Sequence, residues 1–343
     1  MGSVKTATPA MARAINDRLA LDLLLERGPL TAPQLRTLTG LSRPTVSDLV
    51  ERLRDGGLIE VTGEFGEDRR GPNARLYGIV PGRAHAAGVD VRRTAVHVTV
   101  ADITGRPVGS AVRELAGPDD LAGLIGGAVE EAAGGHALDT VVIGAPGLVD
   151  PRHGDLVAGN EVPGWHPGLL PSVRRRLGVP VILENEVNLA AVAELRIGAA
   201  TGREDFVLLW LDDGIGAAVV LGGRLRRGVS GGAGEIGFLE VDGSPLCDQL
   251  GAGVIRDLGA EQLAGRIAKA AFALVTVLDP GLVVLGGTTG RAGGDGLAEL
   301  VAERVAALSL APAEIRASAV AGNPVLQGAV LTALDLARDR VFG

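Results

Sequence analysis

Residues 30–77 place the strongest constraint on the fold, because their helix-start, helix-stop and turn signals follow in a set order. Thr31 is positioned to cap a helix. Gln34, three residues on, completes a capping box in which each side chain satisfies a backbone N–H at the helix start. Gly40 ends that helix. Ser42 caps a second, and Pro44 falls in its first turn, where backbone N–H groups have no helical partner. Val46, Leu49, Val50 and Leu53 then recur at helical spacing as one apolar stripe. Gly56-Gly57 closes the helix, Leu58–Val61 and Arg75–Ile79 read as strands, and Thr62–Ala74 as the polar turn joining them. Helix, turn, capped helix and hairpin in this order describe a winged helix-turn-helix.

Opposite the apolar stripe the second helix offers Arg43, Thr45, Ser47, Asp48 and Arg52, groups suited to base edges and phosphates. The polar turn carries Arg69-Arg70-Gly71-Pro72, a wing whose arginines suit a minor groove narrowed by A·T-rich sequence. The expected DNA-contacting residues are therefore Arg43, Thr45, Ser47, Arg52, Arg69 and Arg70. Helix-helix-hairpin units also serve as interaction modules, and that alternative stands beside DNA binding. The chain carries a net charge of −8, yet residues 1–80 are +1 and the remainder −9. An acidic body repels DNA, so affinity for arbitrary sequence should be weak and salt-dependent, as suits a protein that needs a defined site.

The length of 343 residues allows a small domain at 1–80 and a larger one at 81–343. No uninterrupted apolar run reaches the ~18 residues of a membrane span. Arg13, Asp17, Arg18 and Asp22 break up the early apolar positions, unlike a signal peptide. Cys247 is the only cysteine, which excludes an internal disulfide and fits a cytoplasmic location.

Beyond Ala87 the pattern becomes α/β. Val89, Val91, Val96, Val98 and Val100 mark two strands, a helix is expected near Leu121–Ala133, and Thr140–Ile143 forms a buried strand ending in Gly144-Ala145-Pro146-Gly147. Val179–Leu183 is another short strand, followed by an Ala-rich helix. Phe206–Leu211, the Asp212-Asp213-Gly214-Ile215-Gly216 turn and the next strand repeat the opening of the domain. A helix around Arg266–Leu278 and a strand at Leu282–Leu285 follow. Alternating strands and helices with a repeated opening predict two α/β lobes around a cleft.

Five motifs in sequence give this region a specific likeness: Gly144–Asp150, Asn160 with Pro163-Gly164-Trp165, Glu184–Asn188, Gly231–Gly237, and Asp279-Pro280 with Gly286-Gly287. In them the chain resembles the ROK family of repressors and sugar kinases, and its transcriptional-regulator branch in particular. The resemblance implies an actin-like, hexokinase-like body in two lobes, a sugar in the cleft, and homodimers or homotetramers. Carried over by motif position, Gly147, Asn160, Asn185, Glu186 and Glu235 would meet the sugar. Carboxylates and carboxamides suit that task because each pairs with vicinal hydroxyls. From the residues alone, Asn185 and Asn188 can equally be helix caps, Glu235 an exposed turn residue, and Asn160 and Trp165 loop packing.

The chain departs from the family's kinases at three places. Their Asp-x-Gly-Gly-Thr-Lys phosphate loop corresponds here to Asp90-Val91-Arg92-Arg93-Thr94, with arginines where glycines let backbone N–H groups approach phosphates. Their catalytic Asp corresponds to Glu186, whose extra methylene shifts the carboxylate. Their zinc cluster is reduced to Cys247, with Phe238 in place of the His. The expectation is thus a protein without catalytic residues, zinc or bound ATP. His85, His97, His136, His153 and His166 show no metal-ligand spacing either. The expected function is sugar-responsive regulation of transcription, repressing carbohydrate-utilisation genes from a pseudo-palindromic double-stranded operator. The rivals are a sugar kinase with a DNA-binding head and a constitutive, ligand-free DNA-binding protein.

Overall fold

The computed structural model describes residues 8–65, 74–117, 120–157 and 160–343. The N-terminal head comprises α1 (Pro9–Arg27), β1 (Leu30–Thr31), α2 (Ala32–Thr39), α3 (Arg43–Asp55), β2 (Ile59–Phe65) and β3 (Ala74–Ile79). Local chemistry sets its helix starts. Thr31 Oγ1 accepts from the Gln34 N–H at 3.3 Å while Gln34 Oε1 accepts from the Thr31 N–H at 2.8 Å, the reciprocal capping box. Ser42 Oγ accepts from the Thr45 N–H at the start of α3. The stripe Val46, Leu49, Val50 and Leu53 is buried against Leu21 and Leu24 of α1 and Leu35 of α2. Each such side chain contributes roughly 1.5–3 kcal/mol of burial free energy.

The three strands pair in the order β1-β3-β2. Pairing of β2 with β3 continues past a register shift at Gly63 to Phe65 opposite Ala74. The strand therefore runs beyond the Val61 expected from sequence, because backbone pairing across a hairpin tolerates the polar residues Thr62 and Glu64 on its exposed face. Arg69 and Arg70 lie outside the described residues.

The body opens with β4 (His85–Val91), β5 (Ala95–Asp102) and β6 (Pro107–Glu114), then α4 (Leu121–Ala133), β7 (Thr140–Ala145) and the short hairpin β8 (Val149–Asp150) and β9 (Asp155–Leu156). Next come α5 (Leu169–Leu177), β10 (Val181–Asn185) and α6 (Glu186–Ile197). These form lobe 1, a five-stranded sheet in the order β10-β7-β4-β5-β6 with a parallel half and an antiparallel hairpin.

Lobe 2 repeats the plan. It contains β11 (Phe206–Leu211), β12 (Ile215–Leu221), β13 (Arg224–Arg226), the small pair β14 (Glu240–Val241) and β15 (Ser244–Pro245), and short helices α7 (Leu246–Leu250) and α8 (Ala252–Ile255). It continues with α9 (Ala260–Leu278), β16 (Leu282–Gly286), α10 (Gly287–Leu308) and β17 (Glu314–Ala317). Its sheet order, β13-β12-β11-β16-β17, matches that of lobe 1 strand for strand. The central parallel pair of lobe 2, β11 and β16, is apolar and buried along its whole length, the condition under which parallel pairing persists. The chain then returns to lobe 1 as α11 (Pro324–Phe342), packed on β4 and α6.

Separate apolar cores fill the two lobes, and a third cluster between them joins α6 and α11 to the inner face of β11 and β16. Among the described residues no helix is long and apolar enough to cross a membrane.

Candidate functional site

In open sheets with parallel strands, ligands bind beyond the carboxyl ends of those strands. Here the ends of β4, β7, β10 and β11 converge on one cavity of about 440 Å³ between the lobes. Gly147, Asn160, Asn185, Glu186 and Glu235 all line it, although they come from four separate segments.

Asn185 is the N-cap of α6, its Oδ1 accepting from the N–H groups of Val187 and Asn188 at 2.9 and 3.1 Å. Its Nδ2 donates to the Gly147 carbonyl at 3.1 Å and to Glu186 Oε2 at 3.0 Å. The cap thus fixes the side chain rather than removing it from the cavity. Asn160 is held similarly, donating to the Pro146 carbonyl at 3.0 Å and accepting from the Val162 N–H at 3.2 Å. Glu184, buried at the end of β10, braces this corner by accepting from Asn188 Nδ2 at 2.9 Å.

Glu186 is half-buried, and its carboxyl is pushed up to about 8, chiefly by desolvation and then by the neighbouring charges of Glu235 and Asp90. Glu235 reaches the cavity from the lobe 2 rim, where desolvation raises its carboxyl too. The preceding Gly234 has φ 91°, and a β-carbon there would overlap the Ala217 carbonyl, so only glycine lets this turn press against β12. Glu186 therefore holds a proton near neutral pH beside the other polar groups of the cavity. A bound polar ligand can trade hydrogen bonds with them in either protonation state.

Arg92 enters the same cavity where the kinase-like motif has glycine. Its Nε bonds the buried Asp90 Oδ2 at 2.6 Å, so the guanidinium stands over the end of β4. Arg93 pairs with Glu161 at the rim. On the lobe 2 side, Asp212 Oδ1 accepts from Thr288 Oγ1 at 2.8 Å. Asp212 and Asp213 also border a second cavity of about 840 Å³ lined by α8, α9 and α10. Phe238 is 82% exposed at the cleft mouth. Cys247 is exposed, and the described residues contain no group of three or more His, Cys, Asp or Glu side chains placed to hold a metal.

On the head, Arg43 and Ser47 are exposed on α3, and Thr45 is half-buried with its hydroxyl 2.8 Å from Ser42 Oγ. Arg52 is tied within the head. Its guanidinium is bidentate to Asp17 of α1 at 2.5 and 3.0 Å, so much of its charge is spent inside the head.

Sequence reasoning missed Asn323. It caps α11, accepting from the Leu326 N–H at 3.0 Å, and its Nδ2 donates to Asp90 Oδ2 at 2.7 Å behind the cavity. The Asn-Pro step at 323–324 was a legible helix start. Nothing local indicated a partner 233 residues away.

A winged-helix head carried on two actin-like lobes around a polar cleft defines the class of protein. The ROK family model matches residues 86–252, and the MarR family model matches residues 15–71. The body is thus similar to the ROK family over those residues, and the head to the MarR family. The chain is 27% identical to the xylose repressor of Bacillus subtilis over 250 residues, covering 70% of this chain and 64% of the repressor. It is 31% identical to the glucokinase of Streptomyces coelicolor over 155 residues, 45% of this chain and 49% of the glucokinase. The chain thus spans less than two-thirds of the length of these relatives. The fold matches the crystal structure of a ROK-family transcriptional regulator, a homologue of the E. coli MLC protein. Its TM-score is 0.77 at 18% identity, over 96% of this chain and 99% of the other.

Proposed function

We propose that this chain is a sugar-responsive transcriptional repressor of carbohydrate-utilisation genes. It binds a pseudo-palindromic DNA operator as a homodimer or homotetramer, and a small sugar or sugar derivative enters the cleft. One observation carries the reading: an exposed, capped α3 shares a chain with a cleft whose five family-position residues, four of them polar, meet at a single cavity. The likeness to the xylose repressor supports it. On this reading Arg43, Thr45, Ser47, Arg52, Arg69 and Arg70 face DNA, with Arg52 acting mainly through its tie to Asp17. Gly147, Asn160, Asn185, Glu186 and Glu235 meet the sugar.

The protein acts by binding rather than catalysis, without zinc or ATP. Arg92, paired with Asp90, fills space that a phosphate loop leaves open for backbone N–H groups. The Glu186 carboxyl, pushed up to about 8, already holds a proton at neutral pH, which weakens it as a general base there. A ligand can act only to the extent that it prefers one arrangement of the heads over the other.

Fluorescence anisotropy with DNA from the chain's own upstream region, at fixed salt, tests the proposal during titration with mono- and disaccharides. One sugar should weaken tight binding. Tight binding that no sugar alters would instead favour a constitutive regulator. The likeness to a glucokinase and the second cavity beside Asp212 keep the kinase reading in view, and ATP turnover across the same sugars tests it. The expected result is none above background.

A further inference from the structure

The described residues join the head to lobe 1 of the body through several contacts. The last turn of α11 inserts Phe342 into the head's core, 7% exposed, and the Arg18 guanidinium of α1 lies 5.9 Å over its ring. Arg18 Nη1 also donates to Asp339 Oδ1 at 2.8 Å. Ile103, in the turn after β5, is fully buried in the same core, and its carbonyl accepts from Arg338 Nε at 3.0 Å.

The connecting residues 80–84 are tied down as well. The Val80 N–H donates to the Leu58 carbonyl at 3.0 Å, Pro81 accepts from the Ile103 N–H at 3.4 Å, and Ala84 is buried. A connection held on both sides is a poor hinge.

The other end of α11 reaches the cleft, where Asn323 bonds Asp90 and Val325 lines the cavity. The helix cannot slide on lobe 1. A β-carbon at Gly328 would overlap the Leu189 carbonyl of α6, so the two helices meet backbone to backbone. The lobes are clasped across the cleft by Arg227, just after β13, whose Nε donates to Glu184 Oε2 of β10 at 2.6 Å. This clasp can open without disturbing either core.

We infer that the head and lobe 1 form one rigid body through α11, so that opening or closing of the cleft turns the head about lobe 2. The linker contributes no hinge. The inference rests on the reading above, in which a ligand enters the cleft and DNA meets the head. It assigns α11 as the connection between them.

Spin-label distances test the motion without a sugar, with labelled chains diluted in unlabelled protein. One pair joins head to lobe 2 through Thr37→Cys and the native Cys247. The other joins head to lobe 1 through Thr37→Cys and Val112→Cys in a Cys247→Ser chain. Breaking the clasp with Arg227→Ala, or Arg227→Gln if the first folds poorly, should broaden the head–lobe 2 distribution about twofold and leave head–lobe 1 unchanged, as rigid-body rotation requires. Combining Asp339→Ala with Phe342→Ala should broaden both. A head–lobe 1 distribution that is broad in the parent chain, or moves as far as head–lobe 2 on loss of the clasp, overturns the inference. So does a head–lobe 2 distance that ignores the clasp. Adding D-xylose, D-glucose or N-acetyl-D-glucosamine in the anisotropy assay is a separate arm. If none alters DNA binding, the sugar reading fails while the rigid-body result stands on its own distances.

Discussion

The head and the cleft handle charge in opposite ways. On α3 the polar groups Arg43 and Ser47 stand in solvent, free to meet a partner that brings its own dense charge. In the cleft, Asp90 is bonded to Arg92 and Asn323, and Asn185 to Glu186 and the backbone. An exposed cation suits a polyanion, where release of counterions drives binding. A neutral ligand offers no such drive, and its recognition depends on fixed donors and acceptors in a partly dry cavity. On the proposed reading, one chain holds an exposed surface for a polyanion and an inward-facing pocket for a neutral ligand.

The contrast can be broken at the head's core. Leu49→Ala removes a side chain that is 1% exposed, and a buried Leu-to-Ala change costs about 2–5 kcal/mol. Calorimetry should show a lowered head transition and abolished DNA binding, with sugar binding by the body retained. Loss of both activities would mean that the body depends on the head. Arg43→Ala sharpens the contrast, since it touches no core. Operator affinity should fall by about 1–3 kcal/mol, with a shallower salt dependence if the contact is to phosphate. Unchanged affinity would remove α3 from the interface. Arg52→Ala should act otherwise, lowering the head's melting temperature through loss of the Asp17 pair, with a smaller effect on DNA.

The smallest effect concerns pH. The Glu186 carboxyl sits at about 8 in the folded chain, well above its ordinary value near 4.5. The folded state therefore binds the extra proton, and its stabilising effect is complete below the ordinary value. That contribution is lost as pH rises through about 8. Melting temperature should decline across this window, and Glu186→Gln should flatten the decline. An identical pH profile in the variant would place the titration elsewhere.

These regions also differ in what their sequence discloses. Thr31 and Gln34 bond across three residues, so the head's first helix start is readable from spacing alone. The stripe on α3 is equally local, and the repeated β-hairpin openings made the two lobes legible. Sequence periodicity did not say where β2 stops, because backbone pairing carried it past the polar Thr62. The Arg52–Asp17 pair spans 35 residues, so spacing gave no sign that this expected DNA contact is also tied within the head. In the cleft, Asn185 meets Gly147 across 38 residues and Asn323 meets Asp90 across 233. The first was accessible only through resemblance to a family. The second had no signal beyond a helix cap, because sequence spacing cannot encode a partner brought in by the return of α11.

The most direct test compares operator affinity with and without the effector sugar, in the parent chain and in Glu235→Ala, at one salt concentration. The predicted result is equal affinity of the two chains without sugar, with loss of affinity on adding sugar only in the parent. A sugar effect of the same size in both chains, or none in the parent, would contradict control of DNA binding through this cleft.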